Sequence, residues 1–271
     1  NAWFYPRAWT DPKGGVFVLS YTGDMYNLNT NGTGALTQYT PNKKAPSSAS
    51  LPSVMFAPGK VLVLSKLVAN VVDFNGATPV VTSGGKLSAE RRYGSLTVLA
   101  DGKVWLNGGS TTGNEDGHLV QSEMWNPANS QWTPMANGTR PRLYHSASML
   151  LMDGSVLTGG SGAAPNMNNE LKGEIYYPPY LFDPDGSGDF AYRPEILTAP
   201  TYALKWNVAF NVTADEKIMR ATLVRAGAVT HTLNNETRFF ELPVTSLQAD
   251  GKKVSLKTPA NANLAPPGYY M

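Results

Sequence analysis

Leu151-Met152-Asp153-Gly154-Ser155-Val156-Leu157 packs the end of one apolar strand, a tight turn and the start of another into seven residues. The Asp-Gly pair supplies the positive φ that a tight hairpin demands. The unit recurs upstream as Asp11-Pro12-Lys13-Gly14-Gly15-Val16-Phe17-Val18-Leu19, Phe56-Ala57-Pro58-Gly59-Lys60-Val61-Leu62-Val63-Leu64 and Leu99-Ala100-Asp101-Gly102-Lys103-Val104-Trp105-Leu106. Its period of roughly 43 to 52 residues lies within the range of propeller blades. Glycine pairs at Gly108-Gly109 and Gly159-Gly160 close the second strand of two units, and a third strand follows each, over residues 122–127 and 173–180. One such unit cannot bury both faces of its small sheet, so several must stack around an axis. No stretch sustains a 3.6-residue apolar period. The expected fold class is all-β.

The repeat stops near Asp183-Pro184-Asp185-Gly186-Ser187-Gly188-Asp189, and Arg193-Pro194-Glu195-Ile196 opens a different series. Strands over 206–212, 221–224, 239–242 and 253–257 alternate apolar and polar side chains, as an immunoglobulin-like sandwich does. Residues 1–192 therefore read as about four propeller blades, and 193–271 as a sandwich. The first residues lack the features of a signal peptide, and a strand is starting at Pro267-Gly268-Tyr269-Tyr270-Met271. Both ends read as cuts, with upstream blades and the end of the sandwich missing.

Composition narrows the function. With 42% apolar residues in 271, the chain can bury a large core. Only 15% of residues are charged, the net charge is +2, and Lys and Arg are scattered. No basic stripe exists for a nucleic acid partner. No apolar run approaches the roughly 20 residues needed for membrane insertion. The absence of cysteine excludes disulfides and thiolate metal sites within this stretch. Sequons at Asn31, Asn137, Asn211 and Asn235 would permit glycosylation but arise readily by chance in Asn- and Thr-rich β proteins.

The candidate chemistry lies in Arg140-Pro141-Arg142-Leu143-Tyr144-His145-Ser146, where a phenol stands beside an imidazole as an apolar strand begins. A polar turn opening a strand is the plain alternative. His231, in a hairpin that begins near Gly227, lies far downstream in a second context. Imidazole with phenolate oxygen suits Cu(II). Neighbours on a regular strand point to opposite faces, so Tyr144 and His145 can share an ion only if the backbone there is irregular. His118 reads as part of a solvated loop, with a place at a substrate rim as the alternative. The Asp183, Asp185 and Asp189 series imitates a calcium loop but lacks the closing glutamate; it reads as a polar interdomain turn. Arg142 and Arg238 read as structural ion-pair partners near the channel, with orientation of a polar substrate as the alternative. Tyr176, Tyr177 and Tyr180 read as packing for the last blade, with sugar stacking as the alternative.

The repeat is similar to kelch repeats, and these segments together resemble the copper radical oxidase family of galactose oxidase and glyoxal oxidase. The resemblance covers nearly the whole chain and is strongest from Tyr93 to Met271. It implies part of a seven-bladed propeller followed by an early set domain. It implies Tyr144 as axial tyrosine and general base, with His145 and His231 as the histidine ligands of one copper ion. Ser110 falls where galactose oxidase has a substrate-side glutamine, and the wording around Tyr144 is nearer to glyoxal oxidase. The family's remaining ligand is a tyrosine cross-linked to a cysteine. The resemblance places it in a missing upstream part, with neither residue found in this chain, and its stacking tryptophan does not transfer to Trp3 or Trp9. The implied reaction is oxidation of a primary alcohol or aldehyde by dioxygen to aldehyde or acid plus hydrogen peroxide, by a secreted monomer. A small alcohol or aldehyde is the implied substrate, a carbohydrate among the candidates. The 271 residues alone are not expected to turn over. The main rival is a non-catalytic kelch propeller that binds a glycan or protein partner; a structural zinc site is a weaker one.

Overall fold

The computed structural model describes residues 2–40, 44–113, 116–162, 169–231 and 233–271. Its regular structure is almost wholly β. The first sheet is a meander of β1 (Arg7–Thr10), β2 (Val16–Leu19), β3 (Met25–Asn29) and β4 (Ala35–Gln38). The second holds β5 (Ser53–Ala57), β6 (Lys60–Ser65), β7 (Val68–Asp73) and β8 (Val80–Lys86). The third holds β9 (Ser95–Val98), β10 (Val104–Asn107), β11 (Ser122–Asn126) and β12 (Gln131–Met135). A fourth has three strands, β13 (Ala147–Leu150), β14 (Val156–Gly159) and β15 (Glu174–Tyr176). One turn of 3-10 helix follows at Pro179–Leu181.

The core lies between successive blades, and β6 shows why the sequence builds it there. Val61 and Val63 pack with Trp9, Phe17 and Phe74, whereas Leu62 and Leu64 pack with Leu96, Val98 and Trp125. Alternate side chains thus bury against the first and third blades, so the strand is apolar throughout. The hairpin turns recur in detail. Asp11, Asp101 and Asp153 each accept a hydrogen bond at Oδ1 from the N–H two residues on, which is how a short carboxylate holds a turn. Gly154 completes the last of these turns, in the fourth blade, at φ 85°.

A second device is shared by the third and fourth blades. Arg91 donates to Gly108 O at 3.2 Å and to Glu123 at 3.0 Å; Arg142 donates to Gly160 O at 3.1 Å and to Glu174 at 2.9 Å. Each buried guanidinium ties the end of a second strand to the start of a third. Arg142 is thus an ion-pair partner. Arg238 is not one: among the described residues it donates to Thr237 O and stands opposite Arg225.

The remaining strands are β16 (Ile196–Thr198), β17 (Ala209–Ala214), β18 (Ala221–Arg225), β19 (Ala228–Thr230), β20 (Leu233–Asn235), β21 (Arg238–Leu242), β22 (Thr245–Ser246) and β23 (Lys253–Lys257). Four form a sheet in the order β16-β17-β23-β22, and β18 pairs with β21. Val212, Leu242, Val254 and Leu256 form the core between them. Val224 packs with Leu99, Leu150 and Val156 of the blades, and Thr222 donates to Ala100 O at 3.0 Å. Met271 exchanges two backbone hydrogen bonds with Val224.

The β19–β20 hairpin leaves this second unit. β20 pairs parallel with β5, Leu233 opposite Ser53 and Asn234 opposite Val54, so the second blade becomes a six-stranded sheet. The sequence gives no signal for this pairing, which joins segments far apart in the chain.

Candidate metal centre

Three blades begin with the same local geometry. Tyr5 stands two residues before β1, Tyr93 two before β9 and His145 two before β13, and all three have left-handed backbone at φ 49°, 59° and 63°. His231, at the tip of the inserted hairpin, is left-handed at φ 49° as well. Such conformations cost a bulky residue of order 1–3 kcal/mol each and gather at functional sites. The left-handed turn at His145 is the irregularity that lets Tyr144 and His145 face the same way.

The rings converge. His145 Nε2 and His231 Nε2 are 3.1 Å apart, with ring centroids 4.8 Å apart and planes at 88°. Tyr144 stacks on His145 at 3.9 Å and lies 5.6 Å from His231. Tyr5 lies 5.5 Å from His231 and Tyr93 4.9 Å from Tyr144. His231 Nδ1 meets the Thr230 hydroxyl at 2.6 Å. That contact occupies one ring nitrogen and leaves Nε2 to face the cluster, as outer partners of ligating histidines do. The Tyr144 hydroxyl is held above the ordinary phenol range, first by its hydrogen bond with Tyr5, then by burial and by the neighbouring phenols of Tyr5 and Tyr93.

Tyr144, His145 and His231 are therefore brought together, and two phenols that the sequence reading left out join them. Tyr5, beside His231 and hydrogen-bonded to Tyr144, is a phenol of this cluster that the sequence reading did not single out. Its position ahead of β1 matches that of Tyr93 ahead of β9, a spacing that would have revealed it. Among the described residues no three His, Asp or Glu side chains cluster as a metal site; the donors are two imidazoles and phenols.

Other candidates lie elsewhere in the structure. Ser110 is fully buried and donates to Asp116 O, so it presents nothing to a substrate. His118 is exposed and bridges Ser110; its loop neighbours Asn114 and Glu115 lie outside the described residues. Asp183 and Asp185 accept N–H bonds within their own turn. Tyr176 stacks on Trp105 at 4.1 Å and Tyr180 donates to Gly154 O; both pack the fourth blade. Trp9 is buried among Phe17 and Phe74, and Trp3 packs against Tyr26. A cleft of about 300 Å³ between the two units, lined by residues such as Leu150, Tyr180 and Arg193, is not at the histidines.

An all-β chain of blades, entered by a hairpin that carries a histidine to a second histidine and two phenols, is the construction of a galactose oxidase-like protein, and the chain belongs to that family. Residues 193–271 match the galactose oxidase-like early set domain. Galactose oxidase of Gibberella zeae is 30% identical over 201 residues, covering 72% of this chain and 29% of that protein. Aldehyde oxidase GLOX1 of Arabidopsis thaliana is 28% identical over 230 residues, covering 74% and 36%. A solved fungal alcohol oxidase of the AA5 family, in complex with copper, superimposes with a TM-score of 0.88 at 27% identity, covering all of this chain and 59% of that one. The chain thus spans about a third of the length of its curated relatives.

Proposed function

We propose that the chain forms the copper-holding part of an extracellular, monomeric oxidase, its domains dividing near residue 192. The oxidase takes two electrons from a primary alcohol or aldehyde and passes them to dioxygen. The observation that carries this reading is the 3.1 Å approach of two imidazole nitrogens from separate parts of the fold. Two nitrogens each about 2 Å from one ion lie roughly 3 Å apart, so the pair fits a single metal. Oxygen and nitrogen donors without thiolate favour Cu(II) over structural zinc. A non-catalytic propeller has no use for a histidine sent to its axis on a strained tip.

His145, His231 and Tyr144 would hold the ion. When bound, copper supplies a one-electron couple and favours the ionised form of a coordinated phenol. Tyr144 keeps its proton in the metal-free site; its duty is to take the hydroxyl proton of the substrate as general base. Oxidising an alcohol to an aldehyde while dioxygen becomes hydrogen peroxide moves two electrons and two protons, so a second one-electron store is needed. The family resemblance puts that store in a tyrosine–cysteine cross-link upstream of this chain. That cross-link needs a cysteine, which these 271 residues do not contain; we therefore expect the stretch alone not to turn over. Substrates are small aldehydes or primary alcohols, nearer to glyoxal than to galactose.

The test is a copper titration against a competing chelator, comparing the chain with its His231→Ala variant, followed by peroxide detection for the complete copper-loaded protein against a panel of alcohols and aldehydes. His231→Ala should bind copper far more weakly while its blades stay folded. Equal affinity in the two would refute the copper reading.

A further inference from the structure

The hairpin that delivers His231 is pinned by one buried side chain. Asn234 is 4% exposed. Its Nδ2 donates to Leu96 O on β9 at 2.9 Å, and its Oδ1 accepts from the Thr237 hydroxyl at 3.0 Å. Thr237 is buried too, and its carbonyl accepts from Arg238 Nη1 at 2.9 Å. This chain of buried bonds crosses between units: it starts in β21 and ends in the third blade, three residues from Tyr93. The backbone of the same residue pairs with Val54 of the second blade. One residue therefore fixes the hairpin against two blades, through its main chain to one and its carboxamide to the other.

Gly227 makes this possible. A Cβ there would stand 1.6 Å from Asn234 Oδ1 and 2.6 Å from Thr237 Oγ1, so any larger residue displaces the carboxamide. Its φ is not left-handed; glycine is required for space. Leu233 at the tip pairs with Ser53 and the His231 ring lies against Tyr5 and Tyr144, while the described side-chain bonds of His231 are those to Thr230 and His145. Separations set to a few tenths of an ångström matter at such a site, because a ligand that misses its place weakens the metal.

We propose that Asn234 is a positioning residue of the metal centre: seated in the space left by Gly227, it fixes how deeply the hairpin enters and so brings His231 Nε2 to His145 Nε2. The proposal rests on the copper reading above. It is tested on the full chain with Asn234→Ala, Thr237→Val and His231→Ala, measuring Cu(II) affinity by chelator competition and counting imidazole nitrogens by electron paramagnetic resonance. Thermal melting reports on the fold. Hydrogen exchange over residues 228–235 in the metal-free protein reports on the hairpin if Asn234→Ala is too unstable to load. Asn234→Ala should lower copper affinity by about 10–100-fold, turn a two-nitrogen spectrum into a one-nitrogen one and unprotect the hairpin. Thr237→Val should do the same to a lesser degree. If His231→Ala weakens copper but both other variants keep wild-type affinity, spectrum and protection, the positioning role is wrong and the copper site stands. If His231→Ala binds as the wild type does, the copper reading fails and this role with it.

Discussion

The third and fourth blades are built alike until they reach the axis, where they differ by one residue. Arg91 and Arg142 make the same bonds to a glycine carbonyl and a glutamate. In the third blade a turn closes from Gly94 N to Arg91 O and β9 begins at Ser95, 95 − 91 = 4 residues after the arginine. In the fourth the turn closes from Ser146 N to Leu143 O and β13 begins at Ala147, 147 − 142 = 5 residues after it. The left-handed residue is the third of the turn in both, Tyr93 in one and His145 in the other. That position ordinarily favours glycine or asparagine. The residue before the left-handed one is Arg92 in the third blade and Tyr144 in the fourth, so the fourth presents a phenol and an imidazole together where the third presents Tyr93 alone. A donor pair thus arises from two changed residues in a shared turn.

The largest effect should come from breaking what the two blades share. Arg91→Met leaves Glu123, which is 4% exposed, buried without its partner. Breaking a buried pair in this way costs about 3–5 kcal/mol. Arg142→Met should cost less, because the Glu174 side chain is 21% exposed and retains water. Urea unfolding of the two variants side by side measures the difference; equal losses would mean that burial of the carboxylate does not set the cost.

The next effect sharpens what the blades do not share. His145→Gly leaves the scaffold intact and removes one imidazole. Copper affinity should fall by more than the roughly 10–100-fold expected when only an outer partner is lost. The metal-free protein should become more stable, by up to about 1 kcal/mol, because glycine takes a left-handed φ without strain. A variant that loses both copper and stability would show that His145 packs as part of the core.

Legibility in the sequence followed locality. The turns at Asp101-Gly102 and Asp153-Gly154 announce blades because a hairpin is specified within a few residues, and the apolar run of β6 announces a strand buried on both faces. Tyr144 and His145 were visible as a motif, and His231 as a histidine in a glycine-led hairpin. The parallel pairing of β20 with β5 was not legible, since nothing local at Ser53 or Leu233 encodes a partner so distant. Tyr5 escaped for a related reason: it belongs to the site through a backbone turn that only comparison with the start of β9 reveals. Asn234 resembled any polar residue near a turn until its carboxamide was seen bonded to Leu96 O across two units.

The smallest effect concerns pH in the fourth blade. Burial opposes the charge on Glu174, but hydrogen bonds from the Thr139 N–H and hydroxyl and from Arg142 outweigh it, and the carboxyl is held below its ordinary value. A carboxylate with a depressed folded pKa contributes stability that is present above its unfolded value and lost as pH falls through the folded one. Glu174→Gln should therefore melt below the wild type at neutral pH, and the gap should close as pH drops from about 5 to about 3. Solvent screening at this partly exposed site keeps the difference under about 1 kcal/mol, or about 2–4 °C in Tm. Melting curves of both proteins across that range decide the point. A gap that stays constant down to the acid end would mean that Glu174 serves Thr139 and Arg142 through shape and neutral hydrogen bonding, and that the charge of the shared arginine–glutamate device is not what holds the fourth blade.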